Sequence, residues 1–575
     1  MNIFRFRWPE AEAMQRLRHL LFLLSLLLPN VGLLLTAEHT ALWSSIASLL
    51  FPLGLYLIFF SYFRHPGKGY LWLLPLVLVN AFQLVQLTLF PGSVIAVDML
   101  LNLFASDSEE AGELLSNLLL PISLVLLVYA PLLGTSIRSL KSAILPLAER
   151  RRSLKLGVVI LSLSLLSVWW AGREDSSYSI KREVYPISVG YNMYLAAQKL
   201  LQVASYEDTS RDFDYQAKRL SPVDEATSEV YVLVIGETSR ACNWSLYGYE
   251  RETNPRLAQR SSEIVVMRDM LTQSNTTYRS VPILLSPADA DHADELHRVK
   301  GLLVAMQQAG YYTAYISNQT ENRSFLDFFA HQAQEHHALR QELEGKSPIY
   351  DTDMLPYLDR LLEAGHRKLV VVLHGYGSHF NYSDRYPKEW AHFVEDQAWS
   401  ASPRYREELL NGYDNAIRYT DYFLDEVIAR LERSGSVAGM LYVSDHGEDL
   451  FDDERERILH SSPTLSYYQL HIPALLWFSE SYREAFASRV EAAQANATRP
   501  VMTNSVFHTM LQMASVETPY LRDSLSLLSP HLEAGERAYL NDRYERVPLQ
   551  ELKLSPLDDE AWSRYGLSPR RPVLR

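Results

Sequence analysis

Cysteine is nearly absent: the 575-residue chain holds one, Cys242. No internal disulfide can form, and no metal site built on clustered thiolates is available. Internal repeats and low-complexity tracts are missing too. After Gly172 the chain lacks long uncharged apolar runs, whereas before it such runs dominate. A mean hydropathy of −0.11 averages over both regimes and hides them. Charge divides in the same place. The first 172 residues carry 12 Lys+Arg and 9 Asp+Glu, the remainder 42 and 59, so a balance of +3 stands against −17. An apolar content of 47% excludes a disordered chain. The acidic second part would repel phosphate backbones, which argues against a nucleic-acid partner. Two differently solvated parts follow, one facing lipid and one facing water.

A membrane-crossing helix needs roughly 20 mostly apolar residues. Five stretches qualify: 17–36, 42–63, 70–90, 114–133 and 155–170, the last ending in Trp169-Trp170, a pair suited to an interfacial belt. The first is expected not to be a cleavable signal, because its apolar stretch is too long and no small-residue cleavage site follows. Arg5, Arg7, Arg16 and Arg18 precede the first stretch, Arg64 and Lys68 separate the second from the third, and Arg138, Lys141, Arg150, Arg151, Arg152 and Lys155 lie between the fourth and fifth. The alternate connections, 37–41 and 91–113, contain no Lys or Arg; the longer one carries Asp98, Asp107, Glu109, Glu110 and Glu113. The positive-inside rule makes the basic side cytoplasmic. Five crossings then leave everything after Gly172 outside the cytoplasm. The connection 91–113 is amphipathic through Val94, Ile95, Val97, Met99, Leu100 and Leu103, and 185–201 has the same character. Each reads either as a helix lying on the outer membrane face or as plain linker.

From Glu229 onward, apolar runs of strand length alternate with helical patterns. Strands are expected at 230–235, 264–267, 312–316, 369–373, 439–443 and 474–478, and helices at 299–308, 354–364, 404–433 and 504–514. Continuous apolar strands separated by helices indicate a mostly parallel sheet covered on both faces. Ligands of such sheets sit at the carboxyl ends of the strands. Gly236-Glu237-Thr238 follows the first strand, Ser317-Asn318-Gln319 the third, His374-Gly375-Tyr376-Gly377-Ser378-His379 the fourth, and Ser444-Asp445-His446-Gly447-Glu448 the fifth. Three of these four ends bring Asp, Glu or His to one rim. Carboxylates and an imidazole there can hold zinc through O and N donors. Such an ion leaves a position for a substrate oxygen or a hydroxyl nucleophile, whose pKa it lowers.

The motifs resemble those of a known family. Val234-Ile235-Gly236-Glu237-Thr238-Ser239-Arg240, Leu246-Tyr247-Gly248-Tyr249 and Thr253-Asn254-Pro255 are similar to the opening motif of the phosphoethanolamine transferases, inner-membrane enzymes of the alkaline phosphatase and sulfatase superfamily. The resemblance continues at Thr277-Tyr278-Arg279-Ser280-Val281-Pro282, at His374 to His379 and at Ser444 to Glu448. It implies a five-helix membrane domain over 1–172, a linker with an interfacial helix over 173–228 and a periplasmic, alkaline phosphatase/sulfatase-like α/β domain over 229–575. It also implies a zinc site of Glu237, Thr277, Asp445 and His446 holding one or two ions, with Thr277 as nucleophile and Thr276 as the neighbouring register. His379 aligns with a histidine that binds the transferred phosphate or a second ion, and His460 fills a similar place. Asn318 aligns with a phosphate-pocket asparagine. Where the family has a pocket lysine, this chain has Asn322 and Arg323, and a guanidinium does not replace an ammonium one-for-one.

The implied reaction moves phosphoethanolamine from phosphatidylethanolamine to lipopolysaccharide core or lipid A through a phospho-threonine. Transfer to periplasmic glucans, and a phosphoglycerol transferase or phosphodiesterase of the same superfamily, are the alternatives. Within this resemblance the lipid A-modifying branch typically carries periplasmic disulfides, so a chain with one cysteine looks closer to the branch that modifies lipopolysaccharide core sugars or periplasmic glucans. A sulfatase would need a Cys-x-Pro-x-Arg-type motif, but Asn243-Trp244-Ser245 follows Cys242. The topology is directly testable. A reporter active only in the periplasm should be active when fused after Ser177 and silent after Arg152; the reverse pattern would overturn the orientation.

Overall fold

The computed structural model describes residues 11–38, 41–105, 108–141, 144–321, 324–343, 346–460, 463–533 and 535–569. Arg5, Arg7, Asp107, Asn322 and Arg323 lie outside the described residues, as do the side chains of Leu103, Glu109, Glu110 and Glu113. The chain divides into two units, Met1–Leu100 with Glu109–Ala197, and Leu101–Ser108 with Gln198–Arg575.

The N-terminal helices are α1 (Ala11–Thr36), α2 (Leu42–Ser61), α3 (Pro66–Trp72), α4 (Leu74–Gln86), α5 (Val97–Ala105), α6 (Ser108–Ser139) and α7 (Leu147–Glu174). Among the described residues, four stretches are long and apolar enough to cross a membrane: Ala13–Thr36, Leu42–Ser61, Leu118–Ser139 and Leu147–Glu174. The third expected crossing is not straight. It is split into α3 and α4, which meet at 69° and qualify only as a pair. Pro75, near the start of α4, accounts for the break: it has no N–H to donate, and its ring excludes the carbonyl four residues back. Helices α2 and α7 approach backbone to backbone. A Cβ on Gly54 would sit 2.9 Å from the Leu161 nitrogen, and one on Gly157 would sit 2.9 Å from the Gly54 carbonyl. Small residues permit this approach where lipid gives no hydrophobic drive between helices. Some buried polar groups are paired across the bundle: Asn30 Nδ2 donates to the Ser48 and Tyr185 carbonyls, and the Tyr185 hydroxyl donates to Asn80 Oδ1. Asn192, in the helix Ile187–Ala204, donates to the Ile95 carbonyl, and Ile95, Tyr185 and Val189 form one apolar cluster.

The second unit is built on strands β1 (Glu229–Gly236), β2 (Ile264–Val266), β3 (Tyr312–Ser317), β4 (Glu335–Ala338), β5 (Lys368–His374), β6 (Val437–Ser444) and β7 (Ala474–Phe478). They form one sheet in the order β2-β7-β6-β1-β5-β3-β4. Every pair from β6 to β4 is parallel, while β7 runs antiparallel to both its neighbours. All six expected strands and all four expected helices are present, with ends shifted by a few residues. The central strand β1 is buried along its whole length, so the sheet is covered on both faces. Tyr231, Leu233 and Ile235 join one core cluster with Leu302, Phe507 and Met510. The long helix Arg406–Ser434 buries Tyr413, Ile417, Leu424 and Leu431 at helical spacing and ends at Gly435, whose φ is +64°.

Register aligns the strand ends. Ile235 pairs with His374 and with Val443, and Gly236 pairs with Ser444. The loop after β5 is then folded back over β1: Gly375 N donates to the Ile235 carbonyl at 2.9 Å and Ser378 N to the Glu237 carbonyl at 3.0 Å. Asp351 clamps this loop. Its Oδ1 accepts from Tyr376 N at 2.7 Å and from Asn318 Nδ2 at 2.9 Å, and its Oδ2 accepts from Gly377 N at 3.0 Å. Gly377 has φ +32°, and a Cβ there would lie 3.0 Å from the Glu237 carbonyl. Asp351→Ala should cost ~2–3 kcal/mol, because hydrogen bonds to a charged acceptor are lost from a tight loop. Asp351→Asn should also destabilise, since an amide NH2 would face backbone N–H groups. Thermal melts of the full chain check both; curves identical to the parent would show that the loop is held by other contacts.

Candidate active site

Thr277 is the first residue of the helix Thr277–Leu284. Its hydroxyl lies 3.2 Å from both carboxylate oxygens of Glu237 and 3.2 Å from His446 Nε2. The hydroxyl of the preceding residue, Thr276, instead accepts from Arg279 Nε at 3.1 Å. The side chain directed into the cluster is therefore that of Thr277.

Glu237 follows β1 directly and is buried. Its carboxylate accepts from the Thr238 hydroxyl at 2.6 Å and from Gln319 Nε2 at 2.9 Å. Burial and the neighbouring Asp445 hold its carboxyl well above the usual range. Asp445 follows β6 and is buried too. Its Oδ1 accepts from Thr238 N and His446 N, while Oδ2 has no hydrogen-bond partner among the described residues and lies 3.3 Å from His446 Nε2. His446 Nδ1 lies 3.0 Å from the Gly447 carbonyl, so Nδ1 carries the hydrogen and Nε2 offers its lone pair to the cluster. Burial pushes this imidazole down to about 4. Gly447 is required by space, because a Cβ would meet the Tyr468 carbonyl at 2.0 Å. Thr238 is held at φ +59°, a left-handed conformation rare for a β-branched residue. Its carbonyl accepts from the Tyr413 hydroxyl at 2.7 Å, so hydrogen bonds on all sides keep it there.

His460 reaches the cluster through a two-stranded hairpin, Asp449–Leu450 with Ile458–Leu459. Its ring stands 4.2 Å from that of His446, and burial pushes it to about 4. The intervening segment is thus a structured turn. His460 Nδ1 lies 2.6 Å from Glu448 Oε2, and Glu448 Oε1 accepts from the Tyr382 hydroxyl at 2.6 Å. Burial raises the Glu448 carboxyl to about 8. His379 stacks on Tyr376 at 4.6 Å, and its ring is 6.1 Å from that of His460. Burial, then the positive Arg385, holds its imidazole well below the usual range. Its Nδ1 has no hydrogen-bond partner among the described residues. Asn318 stands at the end of β3, but its amide nitrogen is spent on Asp351 and its Oδ1 is the unpaired atom.

Ligand atoms of Glu237, His446 and His460 lie within 4.8 Å of one another. Together with the unpaired Asp445 Oδ2, the set offers oxygen and imidazole donors of the kind that a divalent transition ion takes. Gln319, Tyr382, Asp351 and Thr238 also build the site and were not singled out from sequence. Glu448 stood in a quoted motif without a role. Only the strand-end position of Gln319 and Thr238 signalled them; Asp351 and Tyr382 each open a 3-10 helix too short to leave a periodic signal.

A family model described as Sulfatase matches residues 229–516. The chain is 32% identical over 316 residues to phosphoethanolamine transferase EptA of Salmonella typhimurium (strain LT2), which covers 52% of this chain and 55% of that relative. It thus spans about half the length of the curated relatives that it matches at this level. Among solved structures, the integral membrane protein lipooligosaccharide phosphoethanolamine transferase A of Neisseria meningitidis matches with a TM-score of 0.68 at 23% identity, over 89% of this chain and 98% of that one. The C-terminal periplasmic domain of EptC from Escherichia coli, in complex with Zn, matches with a TM-score of 0.53 at 24% identity, over 59% of this chain and 96% of that one. At these identities the structural likeness carries the fold: apolar helices followed by a mostly parallel sheet domain. The matched range covers half the chain and contains Glu237, Thr277, Asp445, His446 and His460, and the chain belongs to the sulfatase family.

Proposed function

We propose that the protein is a phosphoethanolamine transferase of a bacterial inner membrane. Residues 1–172 are its membrane domain, 173–228 a linker with an interfacial helix, and 229–575 its periplasmic catalytic domain, with the N-terminus cytoplasmic. The observation that carries this reading is the Thr277 hydroxyl, held 3.2 Å from a buried carboxylate and 3.2 Å from a buried imidazole at the strand ends. The names of the relatives support the group transferred.

Glu237, Thr277, Asp445 and His446 would hold a zinc ion. Bound there, zinc supplies positive charge to a phosphoryl oxygen and lowers the pKa of a nearby hydroxyl. Thr277 Oγ1 attacks the phosphorus of phosphatidylethanolamine, the bond to the glycerol oxygen breaks, and diacylglycerol leaves with a proton. An acceptor hydroxyl then attacks the phosphothreonine, its proton passes to the site, and the Thr277 oxygen is regenerated. Burial lowers the His460 imidazole and so favours its neutral form, which would hold the phosphate or pass on the proton. Glu448 stands 2.6 Å behind it to hold the ring in place. His379 would bind the transferred phosphate or, with His460, a second ion; Asn318, whose amide nitrogen donates to Asp351, supports the loop beside them rather than the phosphate. The acceptor is lipopolysaccharide core, lipid A or another envelope glycan, and the donor's acyl chains remain in the bilayer.

A covalent step predicts a phosphoethanolamine adduct when acceptor is withheld. Tryptic mass spectrometry after incubation with phosphatidylethanolamine alone should find it on Thr277. Thr277→Ala should abolish both adduct and transfer while leaving the melting curve near that of the parent. Full turnover in Thr277→Ala would remove the nucleophile from this reading. Asp445→Ala should lose most of the bound zinc and nearly all activity, since the carboxylate both ligates and balances the charge. Metal analysis of the purified chain reads this separately from turnover, and unchanged zinc in Asp445→Ala would sink the ligand assignment.

A further inference from the structure

A second cluster of donors lies outside the strand-end site. Glu321 follows β3, His331 caps the helix Phe325–Ala330, and His336 sits on the edge strand β4, paired with Tyr315. His331 Nε2 is 2.7 Å and His336 Nε2 is 3.7 Å from the same oxygen, Glu321 Oε1. The two rings are perpendicular with centroids 4.6 Å apart. One ligand atom from each residue falls within 4.8 Å of the others. The neighbouring His337 does not belong to it: successive strand residues face opposite ways, and His337 bonds Glu335 and Glu342.

A hydrogen bond explains only part of this arrangement. One proton between Glu321 and His331 satisfies that pair. The His336 nitrogen is directed at the same oxygen from 3.7 Å, beyond hydrogen-bond reach. If both imidazoles were protonated they would repel each other across 4.6 Å, with one carboxylate to offset two charges. A single divalent cation accepts a lone pair from all three donors at once. With bonds of about 2.0–2.2 Å in a tetrahedral site, ligand atoms lie about 3.3 Å apart, between the 2.7 and 3.7 Å seen here.

We propose that Glu321, His331 and His336 form a second metal site that takes zinc or a similar divalent transition ion, independent of the strand-end cluster. Two imidazoles exclude magnesium and calcium, which prefer oxygen-only shells. His331 is 52% exposed and Glu321 34%, so solvent fills the remaining coordination. The ion joins the loop after β3, a helix end and the sheet edge. The same loop carries Gln319, the hydrogen-bond partner of Glu237. The inference does not rest on the transferase reading.

The test is zinc content of the full chain in detergent, after stripping and dialysis against chelator-buffered zinc. Four proteins are compared: the parent, His331→Ala/His336→Ala, Asp445→Ala/His446→Ala, and the fourfold variant. The peripheral substitutions should remove one zinc per chain from the parent and one from the Asp445→Ala/His446→Ala protein. Glu321→Gln, which keeps shape and removes charge, should weaken zinc binding in that background by tenfold or more. Cobalt should give a visible d–d spectrum in Asp445→Ala/His446→Ala that is lost in the fourfold variant. Equal zinc and equal cobalt spectra in those two proteins would show a hydrogen-bonded surface pair and overturn the proposal. Failure of the catalytic zinc assignment would appear elsewhere, as no loss between the parent and Asp445→Ala/His446→Ala.

Discussion

Two carboxylates and an imidazole, Glu237, Asp445 and His446, are buried together, and the architecture around them follows from that juxtaposition. Removing an ionised carboxylate from water costs several kcal/mol even after relaxation. Two of them facing one another cost more, and the raised Glu237 carboxyl expresses it. The arrangement persists because parallel register brings the ends of β1 and β6 side by side. Hydrogen bonds from Thr238 N, His446 N, Gln319 and two threonine hydroxyls then satisfy most of the carboxylate lone pairs. The oxygen left over is Asp445 Oδ2, directed toward His446.

A layer of uncharged and paired groups stiffens this centre. Tyr382 holds Glu448, and Glu448 holds His460. Arg240, buried nearby, is balanced by Asp452 at 2.7 Å and flanked by the rings of Tyr413 and Tyr468. Charge at Arg240 is thus matched locally, and hydrogen bonds tie Tyr382 and Glu448 to the strand-end cluster.

The strands of the sheet interior were legible because burial on both faces demands runs such as Val230 to Ile235 and Leu369 to Leu373. Their ends, and so Glu237, Asp445 and His446, were legible with them. Edge strand β4 was not: Glu335-His336-His337-Ala338 faces water and carries no apolar run. The helix that bears Thr277 was hidden by its eight-residue length and by Pro282 inside it. Composition showed the apolar content of 70–90 but not its bend, which depends on one proline. Asp351 clamps a loop from 25 and 26 residues away in sequence, and nothing local marks such a partner.

Thr238 has a consequence for how this protein can evolve. Its left-handed backbone costs of order 1–3 kcal/mol in a β-branched residue, and glycine would adopt it without that penalty. Yet its hydroxyl is one of the donors that orient Glu237. Backbone strain and the hydrogen bond to Glu237 therefore favour different residues at this position. A laboratory lineage screened for folding alone would drift toward glycine or asparagine there and lose the orienting hydroxyl unnoticed. Threonine at this position thus trades a strained backbone for the hydroxyl that orients Glu237.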